Sequence, residues 1–369
     1  MRLFLTATVS CSVAGMADPR DRMLDHFRET APICAEYGSP FTGRLIECFA
    51  RDFEAGGPVA ALLGGWAGNP LADGVAVRLA GALHAAVLTG RVPALAAEYP
   101  AQRADWDMAA VWPLAREFLE REQAWVARFI SSPPQTNETR RAIALLAGFL
   151  SVAAAQPGPI DTLELGASAG LNLNWDAFSY RAADWHWGPP SSVQVETDWS
   201  GPPPQLSAAV HVRSRAACDQ NPLELRDPAQ RLRLRSYIWA DQRERLARFD
   251  AAADLAIARG VHVEQADAAA WIAQRLAQRA SDGTTVVYHS VFLQYPPRDT
   301  RNAIIDCIRS AGEAAGPRAP LVWLRLEPEV LLGGPRDSQR FVVDTLTWPG
   351  GERRTLAFTD GHVRAVQAL

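Results

Sequence analysis

Lysine is absent from this chain, so all 37 basic residues are arginine. A P-loop nucleotide site needs a lysine on the phosphates, and Schiff-base and pyridoxal chemistry need a lysine amine, so these classes are excluded. Cysteine is scarce and dispersed. Cys11, Cys34, Cys48, Cys218 and Cys307 are odd in number and have no CxxC spacing. That argues against a disulfide framework or a zinc site and for buried free thiols in a reducing compartment. The seven histidines form no HxH or HxxxH pair, so no metal is expected. No run reaches the ~18 apolar residues of a membrane span; the nearest approach, Ala142 to Ala155, reads as a buried helix. A net charge of −4 gives no concentrated basic face for nucleic acid. The expectation is a cytoplasmic protein that acts on a small molecule, with no nucleic-acid or membrane partner and an open oligomeric state.

With 369 residues, 48% of them apolar and 21% charged, the chain can bury a large core and is expected to form two lobes. Residues 1–16 carry a thin signal-like pattern, one arginine before a short apolar stretch; a mis-assigned start just upstream of Met16 is the preferred alternative. From 17 to 155 apolar residues recur at helical spacing, as in Leu45, Ile46, Phe49 and Phe53, and no alternating strand pattern occurs. This segment is predicted to be an all-α lobe.

From residue 156 to 369 strand-like and helix-like runs alternate. Strands are predicted at 160–165, 209–214, 261–265, 284–293 and 320–326, with helices at 227–259, 267–279 and 299–314. Alternation of this kind implies a parallel sheet with right-handed crossovers. Runs at 341–347 and 354–359 flank Pro349-Gly350-Gly351 and predict a closing antiparallel hairpin. The expected fold is α/β, a Rossmann-like sheet of the class I S-adenosylmethionine-dependent methyltransferase type. An insertion at 174–208 carries Trp175, Phe178, Tyr180, Trp185, Trp187 and Trp199, and is expected to pack its aromatics on the helical lobe.

The most informative stretch runs from Glu164 to Asn172, Glu-Leu-Gly-Ala-Ser-Ala-Gly-Leu-Asn, where a short buried strand ends in an acid and a small-residue turn opens a helix. Such a turn lets a ligand approach the backbone at a helix start. Three chemistries use it. In a methyltransferase cofactor loop the acid stands two positions before the first of three small residues at i, i+2 and i+4, as Glu164, Gly166, Ser168 and Gly170 do. A serine hydrolase would read Gly166 to Gly170 as GxSxG, with Ser168 as nucleophile and His362 in the right chain order. The helical residues upstream leave that reading without the strands and oxyanion loop it needs. A nicotinamide fingerprint fails on the glycine spacing. A turn that only packs strand on helix, with Glu164 solvated, is the plain structural alternative.

The following units favour the cofactor loop. Asp219 follows the second predicted strand, where an acid would bind ribose hydroxyls; Glu196 competes if Val193 to Val195 is the true second strand. Asp267 follows the third strand, to reach an adenine amine or to cap the next helix.

Together Glu164 to Leu173, Gln135-Thr-Asn137, Asp219-Gln-Asn-Pro222, Trp239 to Arg245 and His289-Ser290 resemble the bacterial family catalogued as domain of unknown function 2332. The resemblance spans nearly the whole chain after Met16. It implies a methyltransferase-like Rossmann core behind a helical lobe and brings no established activity.

In an open α/β sheet the crevice lies at the carboxyl ends of the strands. The candidate catalytic residues there are His289 as a base, Tyr295, and Glu327, which would hold an acceptor amine or, more simply, pair with an arginine. The candidate cofactor contacts are Glu164, Gly166, Ser168, Gly170, Asn172, Asp219, Asp267, Asn137 and Arg141, with S-adenosylmethionine as cofactor. The leading expectation is a small-molecule methyltransferase, and the alternative is a Rossmann-like binding protein without chemistry.

Overall fold

The computed structural model describes residues 18–369 except Ala183, so the expectations for residues 1–16 lie outside the described residues. The chain divides into two compact units. One contains the chain up to Thr136 together with Asp227–Ala247; the other contains Asn137–Arg226 and Arg248–Leu369.

The first unit is helical: α1 (Pro19–Glu36), α2 (Pro40–Glu54), α3 (Pro58–Leu63), α4 (Val75–Leu88), α5 (Pro93–Glu98), α6 (Met108–Arg121) and α7 (Gln123–Ile130). Helix α8 (Arg141–Ala155) belongs to the second unit, and α9 (Pro228–Ser236) returns to the first. Phe27, Phe41, Phe49, Leu79, Leu83 and Phe118 lie at the centre of its core. Local chemistry sets the helix starts. Asp18 and Asp107 cap α1 and α6 through their carboxylates, each followed at once by a helical run.

The return of 227–247 to this unit also has a local cause. Asp241 accepts the Phe41 N–H at 3.0 Å and bonds the Ser39 hydroxyl, completing the N-terminal cap of α2. Gly81 on α4 leaves the space in which the Tyr237 ring packs; a Cβ there would stand 2.8 Å from it. The helix predicted at 227–259 is therefore two helices, α9 and α10 (Arg243–Ala258), separated at 237–242. No glycine or proline marks that break.

The second unit is built on a nine-stranded sheet of order β5-β12-β11-β10-β9-β8-β1-β6-β7. The strands are β1 (Pro159–Leu165), β5 (Asp198–Ser200), β6 (His211–Asp219), β7 (Glu264–Gln265), β8 (Thr284–Ser290), β9 (Leu321–Pro328), β10 (Phe341–Trp348), β11 (Glu352–Thr359) and β12 (Ala365–Ala368). From β7 to β9 the neighbours are parallel. From β9 to β12 they are antiparallel, and β12 pairs with β5 in parallel. The fold is thus mixed α/β with a mostly parallel centre, and the predicted closing hairpin is β10–β11. Strand β7 is shorter than the predicted 261–265; it is an edge strand with only β6 to pair with.

Residues 137–155, read from sequence with the helical lobe, fall in the sheet unit. Helix α8 packs on the sheet because Gly148 has no side chain; a Cβ there would stand 2.2 Å from Leu324 of β9. On the other face α11 (Ala268–Ala277) and α12 (Arg298–Glu313) cover Leu163, Val287 and Trp323. The 174–208 insertion forms a three-stranded sheet, β3-β2-β4, from Ser179–Ala182 (β2), Trp185–Trp187 (β3) and Gln194–Glu196 (β4), while β5 joins the edge of the large sheet. Trp175 stacks flat on Phe149 of α8, with centroids 3.8 Å apart and an interplanar angle of 5°. The insertion is anchored inward by its aromatic side chains.

No helix among the described residues is long and apolar enough to cross a membrane. Cys34, Cys48 and Cys218 are buried free thiols, and Cys307 is a half-buried one. Burial pushes the Cys34 and Cys218 thiols up to about 12.

Candidate functional site

Strand order reverses at β1. The chain passes from β1 to β6 and β7 on one side, then returns to β8 and β9 on the other. The carboxyl ends of β1, β6 and β8 therefore flank a topological switch point, where open α/β sheets bind their ligands. Glu164, the 166–170 turn, Asp219, and the segment from Ser290 onward all meet there.

The turn carries three left-handed residues, Gly166 (φ 68°), Ser168 (φ 55°) and Gly170 (φ 72°). Most of its N–H groups are used inside the protein. Those of Gly166 and Ala167 donate to the Cys218 carbonyl, Ser168 donates to Asp219, Gly170 to the Ala167 carbonyl, and Leu171 to Asn137 Oδ1. The expected helix beyond it is a 3₁₀ helix, Leu171–Ala177, with non-helical angles at Asn174. Its polar side chains bond away from the local backbone, Asn172 Nδ2 to the Glu138 carbonyl and Asp176 to Arg215 and Arg259. The glycines make room for protein side chains. A Cβ on Gly166 would lie 2.3 Å from the Phe292 ring, and one on Gly170 would lie 2.7 Å from Val261 and 2.9 Å from Val263.

Asp219 ends β6, the strand beside β1, whereas Glu196 lies in the small insertion sheet. Asp219 is half-buried. Its Oδ2 accepts Ser168 N–H at 2.8 Å and its Oδ1 accepts Asn221 N–H at 2.9 Å. Since a carboxylate offers about four acceptor positions, capacity remains on both oxygens. Asp267 is exposed and caps α11, Oδ1 accepting the N–H groups of Ala269 and Ala270 at 3.0 Å.

Glu164 is not solvated. It is 3% exposed, and its Oε2 accepts the Tyr288 hydroxyl at 2.9 Å across the β1–β8 register. Burial pushes its carboxyl up to about 8, against the lowering effect of that hydroxyl, and nearby Asp219 adds a smaller upward push. Burial thus favours the neutral acid over the carboxylate at Glu164.

His289 and Glu327 are both fully buried. Trp323 Nε1–H can only donate, so His289 Nε2 accepts it at 3.0 Å; Nδ1 then carries the hydrogen and donates to Glu327 Oε1 at 2.6 Å. With both nitrogens engaged, His289 has no free lone pair for an acceptor proton, which corrects its reading as a base. Glu327 Oε1 also accepts the N–H groups of Phe292 at 2.7 Å and Leu293 at 3.2 Å, while its buried Oε2 has no partner. The expected ion pair of Glu327 with an arginine does not form. Arg325 instead bonds Asp344 through Nε (2.8 Å) and Nη2 (2.7 Å), and Arg353 bonds the same carboxylate at 2.7 Å.

Between these groups Val291 holds φ 56°, a strained value for a β-branched residue. Its N–H is anchored on the Leu326 carbonyl at 2.8 Å.

The remaining candidates divide. Arg141 ties the start of α8 to the strand ends by donating to the carbonyls of Gly361 (3.2 Å) and Ser290 (3.3 Å). Asn137 Oδ1 is used by the Leu171 N–H, and Asn172 Nδ2 donates to the Glu138 carbonyl while its buried Oδ1 has no partner. Tyr295 is 63% exposed beyond β8. Ser168 Oγ is buried without any hydrogen-bond partner, so a triad with His362 is not assembled. Phe292, Tyr288 and Trp323 were not singled out from the sequence. Tyr288 meets Glu164 through the strand register, whereas Trp323 meets His289 and Phe292 meets Gly166, contacts that no local sequence signal marks.

Fold and site together define an α/β protein with a helical unit and a topological switch point at β1. Residues 24–367 match the family described as "uncharacterized protein conserved in bacteria (DUF2332)", and the chain belongs to that family. No curated protein and no solved structure matches it.

Proposed function

We propose that this protein binds S-adenosylmethionine at the carboxyl ends of β1, β6 and β8 and serves as a small-molecule methyltransferase. The observation that supports this most is Asp219. Two backbone donors fix its carboxylate beside the turn, and its unused acceptor positions suit a pair of ribose hydroxyls. Asp267 would serve the adenine amine through Oδ2, because both of its capping bonds use Oδ1. The cofactor would supply an electrophilic methyl group. In-line displacement of that group gains mainly from positioning, so a tied His289 is no obstacle. Burial favours the neutral form of Glu164, and its part in this reading is to hold the end of β1 through the Tyr288 hydroxyl.

A second reading, a binding protein without turnover, draws on the same switch point. There the two strongest acid–base candidates, His289 and Glu327, bond each other and the chain. Calorimetry with S-adenosylmethionine and S-adenosylhomocysteine tests the cofactor claim. Binding is expected, and no heat with no thermal shift at millimolar ligand rejects it. Binding without turnover on a panel of acceptors moves the conclusion to the second reading.

A further inference from the structure

The ring of Phe292 lies directly against Gly166, closer than any side chain on that residue would allow. Strand β1 stands between β6 and β8, roughly 5 Å from each. A ligand anchored on Asp219, which holds the Ser168 N–H, and extending toward β8 would cross the turn near Gly166, where this ring lies. Phe292 is half-buried, packs against the core cluster that includes Leu163, Leu165 and Trp323, and has its backbone N–H held by Glu327. Glu327 Oε1 gathers the N–H groups of Phe292 and Leu293 together with His289 Nδ1–H, and Trp323 fixes the other side of His289. The residue before it, Val291, keeps a left-handed backbone that such anchoring must maintain.

We propose that Phe292 is the specificity-determining residue of the switch point, admitting the nucleoside end of a ligand at Asp219 and excluding an amino-acid tail until its ring turns away from Gly166. The proposal rests on the cofactor reading above and refines it. His289, Glu327 and Trp323 are then positioning residues that hold the gate, which accounts for the three donors gathered on Glu327 Oε1 and for a histidine with both nitrogens engaged.

The test is calorimetric titration of wild type and Phe292→Ala with adenosine, which has no tail, and with S-adenosylmethionine, which has one. The expected result is adenosine affinity unchanged and S-adenosylmethionine affinity raised on the order of tenfold, as when the competent state is about a tenth populated in the wild type. Phe292→Leu, which keeps an apolar contact, should shift in the same direction by less, and it decides the question if the alanine variant does not fold. Unchanged or weakened S-adenosylmethionine binding, or equal tightening of both ligands, overturns the gate and leaves the cofactor site standing. Failure of wild type and both variants to bind either ligand overturns both.

Discussion

Replacing Glu164 by glutamine should change how stability responds to pH in one direction and one window. In the folded protein burial holds this carboxyl up to about 8, against 4.5 for the ordinary group. The folded state therefore binds more protons than the unfolded state between those values. Its stabilising contribution is complete below pH 4.5 and is lost as pH rises through 8, at about 1.4 kcal/mol per pH unit. His26 and His84, both lowered by burial to about 4, act with the opposite sign and only below pH 6.5. From pH 6.5 to 8 Glu164 alone among these three responds, and the wild type should lose about 2 kcal/mol relative to Glu164→Gln. Glutamine keeps an acceptor for the Tyr288 hydroxyl, so the buried contact survives. Urea unfolding followed by tryptophan fluorescence and circular dichroism at half-unit pH steps gives the two stability curves. Parallel curves across this window would refute a buried neutral acid at the end of β1.

His289→Phe should cost about 3 kcal/mol in denaturant unfolding, because it strips a donor from the buried Glu327 and an acceptor from Trp323; a loss below about 1 kcal/mol would contradict the double tie. Ser168→Ala should stay within about 0.5 kcal/mol of wild type, since Oγ has no partner, and the native protein should not label with a fluorophosphonate. Stoichiometric labelling of Ser168 would restore the hydrolase reading. Gly166→Ala should cost about 3 kcal/mol in wild type but nearer 1 kcal/mol, the left-handed strain alone, in a Phe292→Ala background; additive losses would mean that the ring is not what forbids a side chain there.

The blocks of the fold were legible because their signals are local. Apolar spacing marked the helices of the first unit, and short β-rich runs between helical stretches marked the parallel strands. Where the boundaries moved, the cause was nonlocal. Nothing between Tyr237 and Gln242 breaks a helix, and the break makes sense only when Asp241 is seen capping α2. Helix α8 was assigned by its neighbours in sequence. Gly148, expensive inside a helix without a packing reason, was the clue that its outer face meets a sheet.

The site was legible as a place and less so as chemistry. The turn, Asp219 and the end of β8 could be put at one sheet edge from topology alone, whereas the state of each group depends on strand register. His289 and Glu327 have the side chains of an acid–base pair, yet a histidine between an indole N–H and a carboxylate has no free lone pair, and that carboxylate spends one oxygen on three donors. Residue type thus overstates reactivity where burial has used up the hydrogen-bonding capacity. Counting what is left reverses the sequence ranking. Asp219 keeps acceptor positions on both oxygens, Asp267 keeps Oδ2, and His289 keeps none. Glu327 Oε2 is also unspent but fully buried, so the unspent capacity a ligand could reach lies on half-buried Asp219 and exposed Asp267, on the β6 and β7 side of the switch point where the proposed nucleoside would bind. On the β8 side the Phe292 ring lies against Gly166 while its backbone N–H is tied to buried Glu327, so the proposed ligand would have to turn the ring without breaking that tie.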